Sequence, residues 1–220
     1  STMIRYVTAN LGWKILSLLI AIVLWYAIVD DPQHTMIISE PVQFRGLSPE
    51  LDIGSDVPST IELEVRGPSS RLTDLSGTRI PVVIDLSKED VPGERTFSIS
   101  ERNIDLPSGV TFSRSIPSQL RLRLERKVTK FVPVQVRFAG PPPAGYRVAA
   151  VKTFPDKVEI RGPESHVERV EAVETDPVSL ATVVSEVEFR AQLYVADPFV
   201  SFAKNEPITV RVRTERIPGS

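Results

Sequence analysis

Few side chains in this sequence stand where they could make or break a bond. There are two histidines, His34 and His166, and no cysteine. Without cysteine there is no disulfide, no thiolate nucleophile and no cysteine-ligated zinc. One histidine among scattered carboxylates does not supply the converging ligands that zinc requires. Glu164, Glu168 and Glu171 fall on one face of a predicted short helix, and a solvated face accounts for them. Asp30 with Asp31, and Asp85 with Asp90, are close in sequence. Carboxylates become a catalytic acid and base only in a cleft that sets them apart in role. No G-x-S-x-G elbow, phosphate-cradling glycine loop or H-E-x-x-H pair is present. The reading assigns no catalytic, cofactor-binding or metal-ligating residue, and the protein is expected not to be an enzyme. With a net charge of −2 and a pI near 5.8, it lacks the basic footprint of a nucleic-acid binder.

The stretch from Leu11 to Val29, LGWKILSLLIAIVLWYAIV, is the long apolar run of the chain. As a helix it rises about 28 Å, close to the thickness of a bilayer core. Its one charge is Lys14, whose stem can stay in lipid while the ammonium reaches the surface. Trp13 near one end and Trp25-Tyr26 near the other suit the two interfaces, where a ring is half buried and half wet. Bulky residues close the run, where a signal peptidase needs small ones, so a retained transmembrane helix is predicted. Arg5 and Lys14 are the ionised groups before and within the span, Asp30 and Asp31 follow directly, and the next Lys or Arg is Arg45. Positive charge stays cytoplasmic. The N-terminus is therefore predicted inside, with a short cytoplasmic segment over 1–10, the helix over 11–29, a linker over 30–36, and the rest extracytoplasmic.

The remainder repeats itself. Pro41-Val42-Gln43-Phe44-Arg45 returns as Pro133-Val134-Gln135-Val136-Arg137. Val65-Arg66-Gly67-Pro68 returns as Ile160-Arg161-Gly162-Pro163. Pro117 followed by Leu120 to Arg123 returns as Pro207 followed by Val210 to Arg213. The offsets are 92, 95 and 90, in the same order. Two modules result, over 37–126 and 128–216. Ile61 to Val65, Val158 to Arg161, Leu120 to Leu124 and Thr209 to Arg213 alternate apolar with polar, the mark of a sheet with one wet face. The arginines of the last two strands then face solvent. One short helix follows each Gly-Pro pair. Leu72 and Leu75 mark the first, and Val167, Val170 and Val173 the second, with Ser69 or Ser70 and Ser165 as candidate caps. Strands are also predicted over 80–86 and 175–180, with Pro81 and Pro177 near their starts. The fold class is mainly β: one N-terminal transmembrane helix, then two tandem elongated β modules, each with one short helix.

The run Asn10 to Ala21, the aromatic pair Trp25-Tyr26, the strand ending Val65-Arg66-Gly67-Pro68 and the later Val83 to Ser87 together resemble the YbbR-domain proteins of bacteria. The resemblance covers nearly the whole chain. It implies a non-catalytic protein of the cytoplasmic membrane whose partner is a membrane-bound diadenylate cyclase, the enzyme that makes cyclic di-AMP, and whose effect is to adjust that output. The family has no catalytic motif, and no cofactor is implied. Partner contact is expected from the membrane helix, through Trp13, Lys14, Ser17, Trp25 and Tyr26. Beyond the cyclase, the expected contacts are the lipid bilayer and a cell-envelope component, with no nucleic acid. The competing reading is an envelope scaffold or binding module for which the helix is a generic tether.

Overall fold

The structure, a computed structural model, describes residues 10–29 and 32–219. Arg5, Asp30 and Asp31, on which the orientation rests, and residues 1–9 of the predicted cytoplasmic segment lie outside the described residues. The fold is mainly β, as expected from the alternation. The apolar run forms α1 (Leu11–Ile28), and Val29 closes it by donating its N–H to the Trp25 carbonyl at 2.8 Å. By length and composition it is able to cross a membrane, and none of its residues is buried. A helix apolar on all sides gains nothing from water.

The strands are β1 (His34–Arg45), β2 (Leu51–Ile53), β3 (Thr60–Gly67), β4 (Val82–Asp85), β5 (Gly93–Ser98), β6 (Thr111–Ile116) and β7 (Gln119–Gln135). They continue with β8 (Tyr146–Phe154), β9 (Lys157–Pro163), β10 (Val173–Thr175), β11 (Glu186–Ala191), β12 (Leu193–Tyr194), β13 (Ser201–Phe202) and β14 (Ile208–Arg216). Two short helices, α2 (Ser69–Ser76) and α3 (Glu164–Arg169), follow the two Gly-Pro pairs.

The chain forms two compact units. The first takes residues up to Gln43, then Pro58–Ile84 and Ser98–Leu120. Its main sheet has the order β4-β1-β3-β6. Ile61, Leu63 and Val65 on β3 are buried, with Leu72 and Leu75 of α2. Glu40 is buried on β1, and its Oε2 accepts the Ile80 N–H at 2.8 Å.

The second unit takes Phe44–Val57, Asp85–Phe97 and everything from Arg121. Its strands form a sheet in the order β12-β10-β7-β9-β13, to which β2 and β5 add along β7, and a separate sheet β11-β14-β8. One core cluster gathers Val178, Leu180, Val183, Ile208, Val210 and Val212. Another gathers Val132, Ile160, Val167, Val170, Val173 and Val200. Each such side chain contributes about 1.5–3 kcal/mol on burial.

Three local expectations are corrected. Pro68 and Pro163 occupy the N-cap positions, so Ser69, Ser70 and Ser165 fall inside the helices and make no cap. Val170 and Val173 are buried, but α3 carries only Val167: Val170 is its C-cap and Val173 opens β10. The strand expected over 175–180 is cut short, because β10 ends at Thr175 and Val178 makes only an isolated bridge to Phe138.

Gly67 and Gly162, the glycines of the repeated motif, share one physical reason. A Cβ on Gly67 would lie 2.9 Å from the Gly109 carbonyl oxygen, and one on Gly162 would lie 2.7 Å from that of Phe199. In each case a loop backbone passes against the end of the strand, and only glycine leaves room for it.

Candidate functional site

At about 100° of turn per residue, Lys14, Ser17 and Trp25 fall within one narrow arc of α1, together with Ala21. Trp13 lies to one side of that arc, and Tyr26 is well around the helix from it. Trp13, Trp25 and Tyr26 are 74%, 65% and 83% exposed, so none is committed to packing within the protein. The Ser17 hydroxyl donates to the Lys14 carbonyl at 2.9 Å. Its hydrogen is thus satisfied inside the helix, while its oxygen keeps lone pairs for a neighbour. The arc therefore runs from a cation through two small residues to an aromatic ring. Small residues let a second helix approach closely in lipid. Ala21 was absent from the sequence-based site, although its spacing of four from both Ser17 and Trp25 was there to be read.

The second cluster of polar side chains gathers around the buried His166 and belongs to the second unit. His166 on α3 places Nδ1 2.7 Å from Asp197 Oδ2 and Nε2 2.9 Å from the Gly54 carbonyl oxygen. Nε2 must carry hydrogen to satisfy that carbonyl. Arg169 Nη2 also lies 3.1 Å from Nδ1, so carboxylate and guanidinium compete for one nitrogen. Phe199 stacks at a tilt on the imidazole, centroids 4.3 Å apart. Arg123 Nη2 donates to the same Gly54 carbonyl at 2.9 Å, and its Nε pairs with Glu125 at 3.0 Å. Ser165 donates its hydroxyl to Glu125 at 2.8 Å. Every group has its partner within the cluster, and among the described residues no hydroxyl hydrogen-bonds the imidazole. Among the described residues no three His, Asp or Glu side chains converge as metal ligands. His34 is exposed at the start of β1.

Burial pushes the Asp197 carboxyl upward, but the bonds from His166 and the Phe199 N–H, with the charges of His166 and Arg169, outweigh it and hold the group below the ordinary carboxylate value. A depressed carboxyl stabilises the fold above its unfolded pKa, and that contribution is lost as pH falls through the folded pKa. Acid unfolding of the second unit should therefore steepen below about pH 4. Asp197→Asn should flatten that limb, as read by the unfolding midpoint against pH.

Of the arginines expected to face solvent, Arg121, Arg123 and Arg213 are exposed, and the half-buried Arg211 pairs across the sheet. Arg211 on β14 bonds Glu188 on β11 and lies 5.2 Å from the Phe154 ring on β8. In the first unit, Arg114 bonds Glu64 at 2.6 Å. That bond leads the influences that hold the Glu64 carboxyl below its ordinary value.

The model of the YbbR-like protein family matches the chain twice, over residues 40–124 and 132–214. Among solved structures, the chain is similar to the crystal structure of a YbbR-like protein from Streptococcus pneumoniae TIGR4. The TM-score is 0.56 at 19% identity, covering 86% of this chain and 98% of that one. That likeness is one of fold. The solution structure of SuR18C from Streptococcus thermophilus is also similar over 43% of this chain and 90% of that one, at 17% identity and a TM-score of 0.33; likeness at that level assigns no fold. No curated protein matches.

Proposed function

The chain belongs to the YbbR-like protein family, and we propose that it is a non-catalytic, single-pass membrane protein that binds a membrane-bound diadenylate cyclase through α1 and adjusts its synthesis of cyclic di-AMP. The observation that carries the reading is α1 itself. It is apolar all round and wholly exposed, yet Lys14, Ser17, Ala21 and Trp25 line up on one side. A helix needed only to dissolve in lipid has no use for such a stripe. The order of the N-terminal motif and the two modules, which resembles the cyclase regulators of this family, supports the choice of partner. In this reading the N-terminus is cytoplasmic and the two β modules face outward, toward the cell envelope. The helix packs beside the membrane helices of the cyclase and favours one of its states. A differential contact of about 1–3 kcal/mol gives a several-fold to hundred-fold change in output.

The stripe is testable within the helix. Filling it with Ser17→Leu and Ala21→Leu should abolish co-purification of the cyclase from detergent extract and remove most of the effect on cyclic di-AMP. The conservative apolar pair Leu19→Ile and Val23→Ile, on the opposite face, should leave both unchanged. Equal loss from the two pairs would remove the stripe from the account.

A further inference from the structure

The sheet β11-β14-β8 has three strands and ends in an open edge on both sides. Its wet-face charges run unevenly across those strands. Glu188 on β11 lies opposite Arg211 on β14, which lies opposite Lys152 on β8. Arg211 is taken up by Glu188 and Glu186. Lys152 has no ion pair among the described residues. One edge is thus acidic, and the other carries an uncompensated cation.

The core face shows the same incompleteness. Val210 and Val212 on the central strand are fully buried, whereas Val151 on β8 is 39% exposed and Val187 and Phe189 on β11 are half-buried. Alongside β8 lies a cavity of about 540 Å³ lined in part by Val134, Val151, Thr153 and Phe154, with Lys152 and Asp156 also on it.

We propose that this sheet continues into a second copy of the chain, the neighbour's β11 adding in parallel beside β8 with its Glu188 next to Lys152. The direction follows from the topology. β11 and β8 are each antiparallel to β14, hence parallel to one another, and a copy translated along the sheet keeps that sense. The row Glu188-Arg211-Lys152 is then followed by the neighbour's Glu188, which supplies the missing carboxylate. In the row Arg190-Thr209-Phe154, the neighbour's Arg190 arrives beside the exposed Phe154 ring, where a guanidinium is favoured. On the core face the neighbour's Val187 covers Val151, and its Phe189 enters the cavity beside Thr153. A lysine in an edge strand ordinarily opposes pairing; here the partner strand carries its counter-charge. The contact joins two different surfaces, so it builds open rows of copies rather than closed pairs. The proposal does not depend on the cyclase reading.

The absence of native cysteine makes the test direct. Full-length chains carrying Lys152→Cys and chains carrying Glu188→Cys are mixed in detergent micelles and oxidised. Laterally adjacent residues on paired strands are about 5 Å apart at Cβ, within reach of a disulfide after small adjustment. The expected result is a cross-linked dimer in the mixture at least ten times more abundant than in either variant alone. The double variant should give a ladder. Lys152→Glu, combined with Phe154→Cys in one chain and mixed with chains carrying Arg190→Cys, sets the neighbour's Glu188 against a carboxylate and should lower cross-linking at least tenfold against the same mixture with Lys152 retained. Absence of a mixed dimer, or self-cross-linking of either single variant as strong as the mixture, would overturn the proposal.

Discussion

Gly162→Ala is expected to lower the unfolding free energy of the second unit by about 2–3 kcal/mol, within the range for overpacking a tight site. The added methyl would stand 2.7 Å from the Phe199 carbonyl oxygen and 3.4 Å from Val167 and Val200. The close atom is backbone, so it cannot turn away as a flexible side chain would. The strand and the loop must separate, and the cluster of Val167, Ile160 and Val200 opens with them. Gly67→Ala should act in the same direction in the first unit through the Gly109 carbonyl. Gly77→Ala meets nothing within 4 Å and should change stability by less than about 0.5 kcal/mol, as at an unconstrained surface position. Chemical denaturation of the three variants separates a steric cause from a general intolerance of alanine at glycine positions.

His166→Ala is expected to cost about 2–3 kcal/mol, the range for removing a hydrogen bond to a charged group and leaving its partner wanting. Alanine takes away the donor to the Gly54 carbonyl, the partner of Asp197 and the ring that packs on Phe199. The carbonyl keeps Arg123 and the carboxylate keeps the Phe199 N–H, which holds the loss below that of stranding a charge outright. Asp197→Asn keeps an oxygen for the Phe199 N–H and should cost less at neutral pH. Because His166 and Asp197 share one bond, the double variant should be less destabilised than the sum of the two singles. Additive losses would show that the pair is not coupled.

The elements readable in advance were those whose side chains alternate without interruption. Ile61 to Val65 and Thr209 to Arg213 lie within strands with their apolar residues buried. The repeated Gly-Pro motif marked both helices, and the N-terminal run marked α1. β8 was missed. Its sequence holds Val148-Ala149-Ala150-Val151 without a polar break, and its pairing with β14 slips by a bulge there, so a strict two-residue period is not kept. The serines misled because Gly-Pro already turns the chain: proline takes the cap position and serine falls one or two places too late. The His166–Asp197 pair spans 31 residues and is made by folding, so no local pattern announces it. Lys14, Ser17 and Trp25 share a face because a helix puts them there, whereas Trp13 and Tyr26 were chosen for their aromatic character and lie off that face.

The proposed role rests on α1 being more than a tether. The direct measurement is cyclic di-AMP in cells expressing the cognate cyclase alone, with this protein, and with a form whose residues 11–29 are replaced by an unrelated apolar span of equal length, insertion being confirmed for both. The native chain should shift the level several-fold or more, and the replaced one should leave it at the value of the cyclase alone. An equal shift from both forms would contradict contact through the helix and make the span a generic anchor. No shift from either would contradict control of the cyclase altogether.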